Sequence, residues 1–223
     1  MAKKSEVLSG IKESTTKEKI LKKVRSALIS KLENPFKNVD FKSPIYTKLE
    51  EDIVIQFVAN LQKSQGTFVY CENEKALAEN LQLLMKQRKW KSFFAVDEKV
   101  VDLLSQSGIP IKNSAEDFKD QFAGITRCDF LVARFGSVMV SSGLASGRRM
   151  FAFPEIHIVI AAMSQVVPEL KDALRGIKKK YATNFPSQIT VITGPSRTAD
   201  IEKTLVMGAH GPKELFVFMV DDL

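Results

Sequence analysis

Residues 156–160 read Ile156-His157-Ile158-Val159-Ile160, an almost unbroken apolar run of β-branched side chains. Such a run predicts a strand that is buried on both faces, which is typical of a parallel sheet covered by helices. Similar short runs lie at 66–70, 92–96, 130–133, 138–140, 188–192 and 215–220. Apolar residues at helical spacing separate several of them, at 49–64, 76–85, 100–105 and 167–180. We therefore predict an α/β fold with an open, mostly parallel sheet and helices on both faces.

The runs at 130–133 and 138–140 are too close together for a crossover helix. Their spacing predicts at least one antiparallel hairpin, turning around Gly136.

The leading segment differs from the rest of the chain. Of the net charge of +7, residues 1–50 contribute 12 Lys and Arg against 6 Asp and Glu, and the remainder is nearly neutral. Thr15 or Thr16 can cap a helix over 17–33, with apolar positions on one side, and Asn34-Pro35 ends it. We predict a basic helical segment and connector over 1–48, followed by an α/β domain over 49–223.

These patterns exclude several classes of function. The main body has no basic stripe, so we expect no nucleic-acid partner. No apolar run reaches the roughly 18 residues of a membrane span, and no signal peptide precedes the first helix, so we expect a cytoplasmic protein. Cys71 and Cys128 stand alone, which predicts buried, reduced thiols and no metal or iron–sulfur site made by this chain alone.

The loop after the 188–192 run is the first candidate site. We expect it at the carboxyl end of the sheet, where ligands of open α/β sheets bind. Gly194 allows close backbone approach, Arg197 can grip an anion, and Asp200 can hold Arg197. Ser196 and Thr198 can cap a short helix whose amino terminus favours an anion. The alternative is a capped helix start with a surface ion pair.

A second loop, 141–149, is rich in small residues and ends in Arg148-Arg149. It could cradle an anion through its backbone N–H groups, or it could be a solvated connection.

The chain has two histidines. His157 alternates with isoleucines, which predicts a packed or hydrogen-bonded core residue. His210 lies between Gly208 and Gly211 in a turn, where it could act as acid, base or anion ligand, or bond only to its own turn. Ser–His–Asp, Walker and Gly-x-Gly-x-x-Gly patterns are missing from the sequence.

The stretches 192–202 and 205–215, which include Thr193-Gly194-Pro195-Ser196-Arg197 and Met207-Gly208-Ala209-His210-Gly211, resemble the lactate-utilisation protein C family (LUD domain). The resemblance extends upstream through 129–160. It implies a fold similar to ribose-5-phosphate isomerase and CoA-transferase domains. It also implies a role in oxidising L-lactate to pyruvate, in a complex whose other subunits carry the iron–sulfur clusters.

One element departs from the family. Where the family tends to have Ala-Glu-Thr-Gly-Thr, this chain has Ala133-Arg134-Phe135-Gly136-Ser137. Gly136 and the Ser137 hydroxyl remain, but the acidic residue is Arg134. Either a carboxylate with a chemical task is lost here, or the site suits a more anionic ligand.

Two hypotheses follow. In the first, the chain is a cluster-free accessory subunit of an iron–sulfur lactate-oxidation system and binds an anionic small molecule. In the second, it is a free-standing enzyme for a phosphorylated sugar, a nucleotide or an acyl-CoA. His210 is the candidate catalytic residue in either case, and we expect no metal ligands. The candidate ligand-binding residues are Gly136, Ser137, Gly194, Ser196, Arg197, Thr198, Asp200, Gly208, His210 and Gly211.

Overall fold

The computed structural model describes residues 15–29, 36, 38–40, 43, 46–47, 49, 52–114, 116–117, 122–198 and 206–221. The chain divides into two compact units, residues 1–47 and 48–223. The first contains helix α1 (Thr16–Ile29), which confirms the predicted helix as far as Ile29. Thr15 caps it as predicted: its hydroxyl accepts from the N–H of Glu18, whose carboxylate accepts from the N–H of Thr15. Residues 30–35, with the predicted stop at Asn34-Pro35, lie outside the described residues.

The second unit contains four helices and twelve strands among its described residues. The helices are α2 (Ile53–Lys63), α3 (Glu74–Arg88), α4 (Glu98–Gln106) and α5 (Leu170–Lys180). The strands are β1 (Thr67–Cys71), β2 (Phe93–Phe94), β3 (Ile111–Lys112), β4 (Ala123–Arg127), β5 (Phe130–Val132), β6 (Ser137–Ser141), β7 (Ile156–Ala162), β8 (Val166–Val167), β9 (Ile189–Ile192), β10 (Arg197–Thr198), β11 (Val206–Met207) and β12 (Glu214–Val220).

The main sheet has six strands in the order β1-β12-β7-β4-β2-β3, and every neighbouring pair is parallel. All seven residues of β7 are buried, as its continuous apolar run predicts. The predicted α/β class and parallel sheet are confirmed. The central strand β4 was not predicted, because Gly124, Thr126 and Arg127 interrupt its apolar pattern.

Helices cover one face of the main sheet, and a helix and a second sheet cover the other. On the first face, Leu81 of α3 and Leu104 of α4 pack in one cluster with Ile158 of β7. On the second face, Leu61 of α2 and Val138 of β6 share a cluster that also includes residues of β7 and β12. Within the described residues, none of the helices is long and apolar enough to cross a membrane.

The second sheet has the order β8-β5-β6-β9. Its β5–β6 pair is the antiparallel hairpin predicted around Gly136, but it lies outside the main sheet. The alternation of side chains explains this position. Val138 points toward the main sheet, whereas its neighbour Met139 packs with Ala173 and Ile177 of α5 on the outer side.

The expected position of the first candidate loop is wrong. The loop was expected at the carboxyl end of the parallel sheet, but it follows β9, which pairs antiparallel with β6 in the second sheet. His210 precedes β12 and therefore lies at the amino end of the main sheet. A helix capped by Ser196 is not formed, because Arg197 and Thr198 pair antiparallel with Met207 and Val206. Residues 199–205, where a helix capped by Thr198 would run, lie outside the described residues.

Candidate functional site

Gly136 packs directly against α2. Its φ is +60°, and a Cβ at this position would lie 2.0 Å from the backbone N of Leu61. The Nδ2 of Asn60 donates to the carbonyl oxygens of Ala133 and Arg134, at 3.0 and 3.1 Å. The β5–β6 turn is therefore fastened to the helix, and Gly136 is required by close packing.

Gly194 makes the same kind of contact at the end of α2. Its φ is +76°, and a Cβ would lie 2.0 Å from the carbonyl oxygen of Ser64, the residue that caps the helix. One residue earlier, the Thr193 hydroxyl lies 2.7 Å from the Ser137 hydroxyl. The structure thus brings Gly136, Ser137 and Gly194 together around α2, in contacts that hold the second sheet to the helix.

Ser196 connects this region to the His210 turn. Its N–H donates to the carbonyl of Pro212 at 2.8 Å, and its carbonyl accepts from the N–H of Gly208 at 2.9 Å. Arg197 is exposed and Thr198 half-buried in β10. The predicted support of Arg197 by Asp200 falls on a residue outside the described ranges.

His210 lies at a cavity of about 470 Å³ at the amino ends of β7 and β12, here called the His210 cavity. The exposed His210 and Lys213 both line this cavity, and the Lys213 Nζ lies 2.9 Å from Oε2 of Glu155. This arrangement can hold a small anion by charge and hydrogen bonding. Its lining includes Phe153, Glu155, Gly208, His210, Gly211 and Lys213.

A second polar centre, which the sequence did not predict, lies at the carboxyl end of β4. Asp129 is 2% exposed, and its Oδ1 accepts from Lys180 Nζ at 2.7 Å and from Tyr181 Oη at 2.8 Å. Burial lowers the pKa of Lys180, but the hydrogen bond and the charge of Asp129 more than offset this, so the pKa is raised. Burial and the same carboxylate raise the pKa of Tyr181. Lys180 and Tyr181 line a cavity of about 530 Å³, the Lys180 cavity.

The carboxyl end also holds a second ion pair. Arg127, the last residue of β4, donates from Nε to Oδ2 of Asp97 at 2.8 Å, and Asp97 is buried. Asp97 and Asp129 each follow a strand of the main sheet closely, which is the signal that could have identified them. That signal was missed for Asp129 because β4 itself was not predicted.

Both cysteines are buried and unpaired, as predicted. Burial raises the pKa of Cys71, and it raises the pKa of Cys128 to about 12. A thiol with such a pKa stays protonated near neutral pH, which suits neither a nucleophile nor a metal ligand. Among the residues that the structure describes, no three His, Cys, Asp or Glu side chains form a group that could hold a metal ion.

Arg134, which stands where the resembling family has an acidic residue, pairs with Glu169. Its Nε and Nη2 donate to Oε1 of Glu169 at 2.8 and 2.6 Å, and both side chains are only 14% exposed. The guanidinium therefore has a largely buried carboxylate partner at the start of α5.

His157 is fully buried, with Nε2 2.8 Å from the Thr126 hydroxyl, which confirms its predicted core role. Burial lowers its pKa to about 4, so that the imidazole is neutral at pH 7. Its Nδ1 has no hydrogen-bond partner among the described residues.

Comparison with known proteins gives a family and a fold. The family model for the LUD domain matches residues 54–220. The chain is 39% identical over 101 residues to "Lactate utilization protein C" of Halalkalibacterium halodurans, a match that covers 44% of each chain. It is 38% identical over 101 residues to the protein of the same name from Bacillus subtilis, covering 44% of this chain and 42% of that one. These matches thus span less than half the length of the curated relatives.

A crystal structure of a DUF162 family protein from Deinococcus radiodurans superimposes with a TM-score of 0.57 at 15% identity. It covers 75% of this chain and 96% of that one. At this identity the likeness shows the fold alone.

Proposed function

This chain belongs to the LUD domain family, and we propose that it takes part in lactate utilisation as a cluster-free component that binds an anionic small molecule. The observation that carries the proposal is the identity of 38–39% to proteins named "Lactate utilization protein C" from several bacteria. Since those matches cover less than half of each relative, the substrate and the partners are part of the proposal.

The ligand we propose is a small carboxylate in the His210 cavity. Lys213 and Glu155 are both about half exposed, and such a surface pair contributes less than about 1 kcal/mol. An anionic ligand can therefore displace Glu155 from the Lys213 ammonium at little cost. The exposed imidazole of His210 can donate a second hydrogen bond to the same carboxylate.

The redox partner we propose is a protein that carries iron–sulfur clusters. Oxidation of a 2-hydroxy acid to a 2-oxo acid releases two electrons and two protons, which a partner must accept. A cluster of the common type is held by four cysteines, whereas this chain has two, and the Cys128 thiol is buried with a raised pKa. The clusters therefore belong to the partner in this proposal.

Growth on L-lactate tests the role of the whole protein. We expect deletion of the gene to abolish or strongly slow growth on L-lactate, with normal growth on glucose. Expression of the wild-type chain should restore it. Normal growth of the deletion strain, in a genome without a second copy, would contradict the proposed role.

Complementation with variants tests the cavity separately. We expect the double variant His210→Ala and Lys213→Met to restore growth poorly, because the carboxylate loses both of its proposed donors. Lys171→Met, which removes an exposed lysine in the first turn of α5, is the matched control and should complement fully. If the double variant accumulates normally and also complements fully, the ligand does not bind in the His210 cavity.

A further inference from the structure

The Ser146–Met150 stretch encloses a third cavity, of about 480 Å³, which the proposed function does not use. It lies beyond the carboxyl ends of β2 and β3, where the lining includes Val96 and Asn113. Ligands of open α/β sheets bind on this side of the strands, and the volume is within the range of small-molecule sites. We call it the arginine cavity, because Arg148 and Arg149 both line it.

The charge of the cavity is positive. Arg149 is exposed, and its guanidinium has no partner among the described residues. Arg148 donates to the hydroxyl of Ser187 through Nη2, which leaves its other N–H donors to contact a ligand. None of the described residues that line the cavity is acidic. A guanidinium in this setting favours an anion, and its planar fork fits a phosphate or carboxylate group.

A buried hydroxyl supplies a second, independent observation. Ser146 lines the cavity and is 5% exposed, yet its Oγ has no hydrogen-bond partner in the described structure. A buried hydroxyl without a partner is costly, and native proteins seldom leave one. An anionic oxygen bound beside Arg149 would provide the partner once the Ser146 side chain turns toward the cavity.

The rest of the lining is apolar. Val96, which is 36% exposed, forms most of this part of the wall, whereas Phe94 and Met150 are almost fully buried and add little surface. Apolar surface next to guanidinium groups, which stack on flat rings, suits a ligand with a flat, weakly polar body joined to an anionic group. Inorganic phosphate alone would leave that wall exposed to water.

We propose that the arginine cavity binds a phosphate ester with an aromatic body, of the nucleoside monophosphate class. The phosphate lies against Arg149, Arg148 and the Ser146 hydroxyl, and the base lies against Val96. This site is separate from the His210 cavity, and the proposal does not depend on a role in lactate utilisation.

Calorimetric titration of the full chain with AMP tests the proposal, with adenosine, inorganic phosphate and L-lactate as comparison ligands. We expect AMP to bind at least tenfold more tightly than adenosine or phosphate, because each of these fills only one part of the cavity. Failure of AMP to bind at millimolar concentration would overturn the proposal, as would equal or tighter binding of L-lactate at this site.

Variants locate the site. We expect Arg149→Ala to weaken AMP binding at least tenfold, Arg149→Lys less, and Ser146→Ala a few-fold. Arg175→Ala, an exposed arginine on α5, is the matched control and should bind as the wild type does. Thermal unfolding checks that each variant is folded. Unchanged AMP affinity in Arg149→Ala overturns the site, and so does loss of AMP binding in His210→Ala with Arg149→Ala unaffected.

Discussion

Two glycine-rich regions of this molecule look alike as sequence and differ as structure. The carboxy-terminal loops, residues 193–198 and 206–213, contain a glycine whose Cβ would collide with backbone, and they connect α2 to the amino end of β12. The arginine loop, residues 141–149, contains Gly147, which also has a positive φ, but a Cβ there would meet nothing within 4 Å. The first region is tightly packed at Gly194, and the second is open at Gly147, beside two exposed arginines.

The residues that resemble the family therefore include packing residues as well as candidates for chemistry. Gly194 is explained by its contact with Ser64, without any ligand. His210, farther along the same signature, has no such explanation and lines a cavity. Arg149 and the unpartnered hydroxyl of Ser146 lie outside the carboxy-terminal signature altogether.

The largest expected effect is the difference in stability between variants of Gly194 and of Gly147. We expect Gly194→Ala to lower the free energy of unfolding by about 4 kcal/mol or more, because its Cβ would collide with backbone at a positive φ. Gly147→Ala should cost only about 1 to 2 kcal/mol, the cost of the left-handed conformation itself. Chemical denaturation of both variants measures the two values. Similar losses would mean that the loop at Gly194 can shift away from α2.

The sequence predicted the fold where the apolar runs were continuous, as in β7 and β12. It failed at β4, because burial of Ala123–Arg127 comes from its neighbours β2 and β7 and not from its own composition. It also could not assign strands to sheets. The runs at 130–133 and 188–192 are as apolar as those of the main sheet, and only long-range pairing places them in the second one.

The candidate site was predicted in part. The sequence identified His210 and its glycines, which line one cavity, and it placed an anion cradle at Arg148-Arg149 as one of two alternatives. It did not identify Asp129, because β4, which Asp129 follows, was not predicted. It also could not pair Asp129 with Lys180 and Tyr181, which lie about 50 residues away in sequence. Nor could it separate Gly136 and Gly194 as packing residues, since their contacts with α2 are tertiary.

The buried His157 and the exposed His210 allow a similar comparison through the pH dependence of the free energy of unfolding. The folded state holds the pKa of His157 at about 4, whereas an unfolded chain gives about 6.5. Between pH 6.5 and pH 4 the unfolded state therefore binds a proton that the folded state does not, and the free energy of unfolding falls by about 3 kcal/mol as the pH falls. Above pH 6.5 and below pH 4 this contribution does not change with pH.

We expect His157→Gln to remove that component, which is measured as the difference between variant and wild-type unfolding free energies across pH 4 to 7. His210→Gln is the matched control, because it removes the exposed imidazole and leaves the His157 contribution in place. If the difference for His157→Gln is constant with pH, then His157 is not held neutral by burial.

The smallest expected effect concerns two lysine–carboxylate pairs with similar N–O distances, which lie at opposite ends of the main sheet. Lys180 pairs with the fully buried carboxylate of Asp129 at 2.7 Å, and Lys213 pairs with the half-exposed Glu155 at 2.9 Å. Lys180→Met leaves a buried carboxylate with only Tyr181, so we expect a loss of about 2 kcal/mol, below the 3–5 kcal/mol of a wholly buried pair because Lys180 is half exposed. Lys213→Met should cost less than about 1 kcal/mol, because water replaces the lysine at an exposed carboxylate.

Adding Asp129→Asn to Lys180→Met should recover part of the loss, since it removes the unpaired buried charge. Equal losses for the two lysine variants, or no recovery in the double variant, would show that burial of Asp129 does not set the strength of the pair at the carboxyl end.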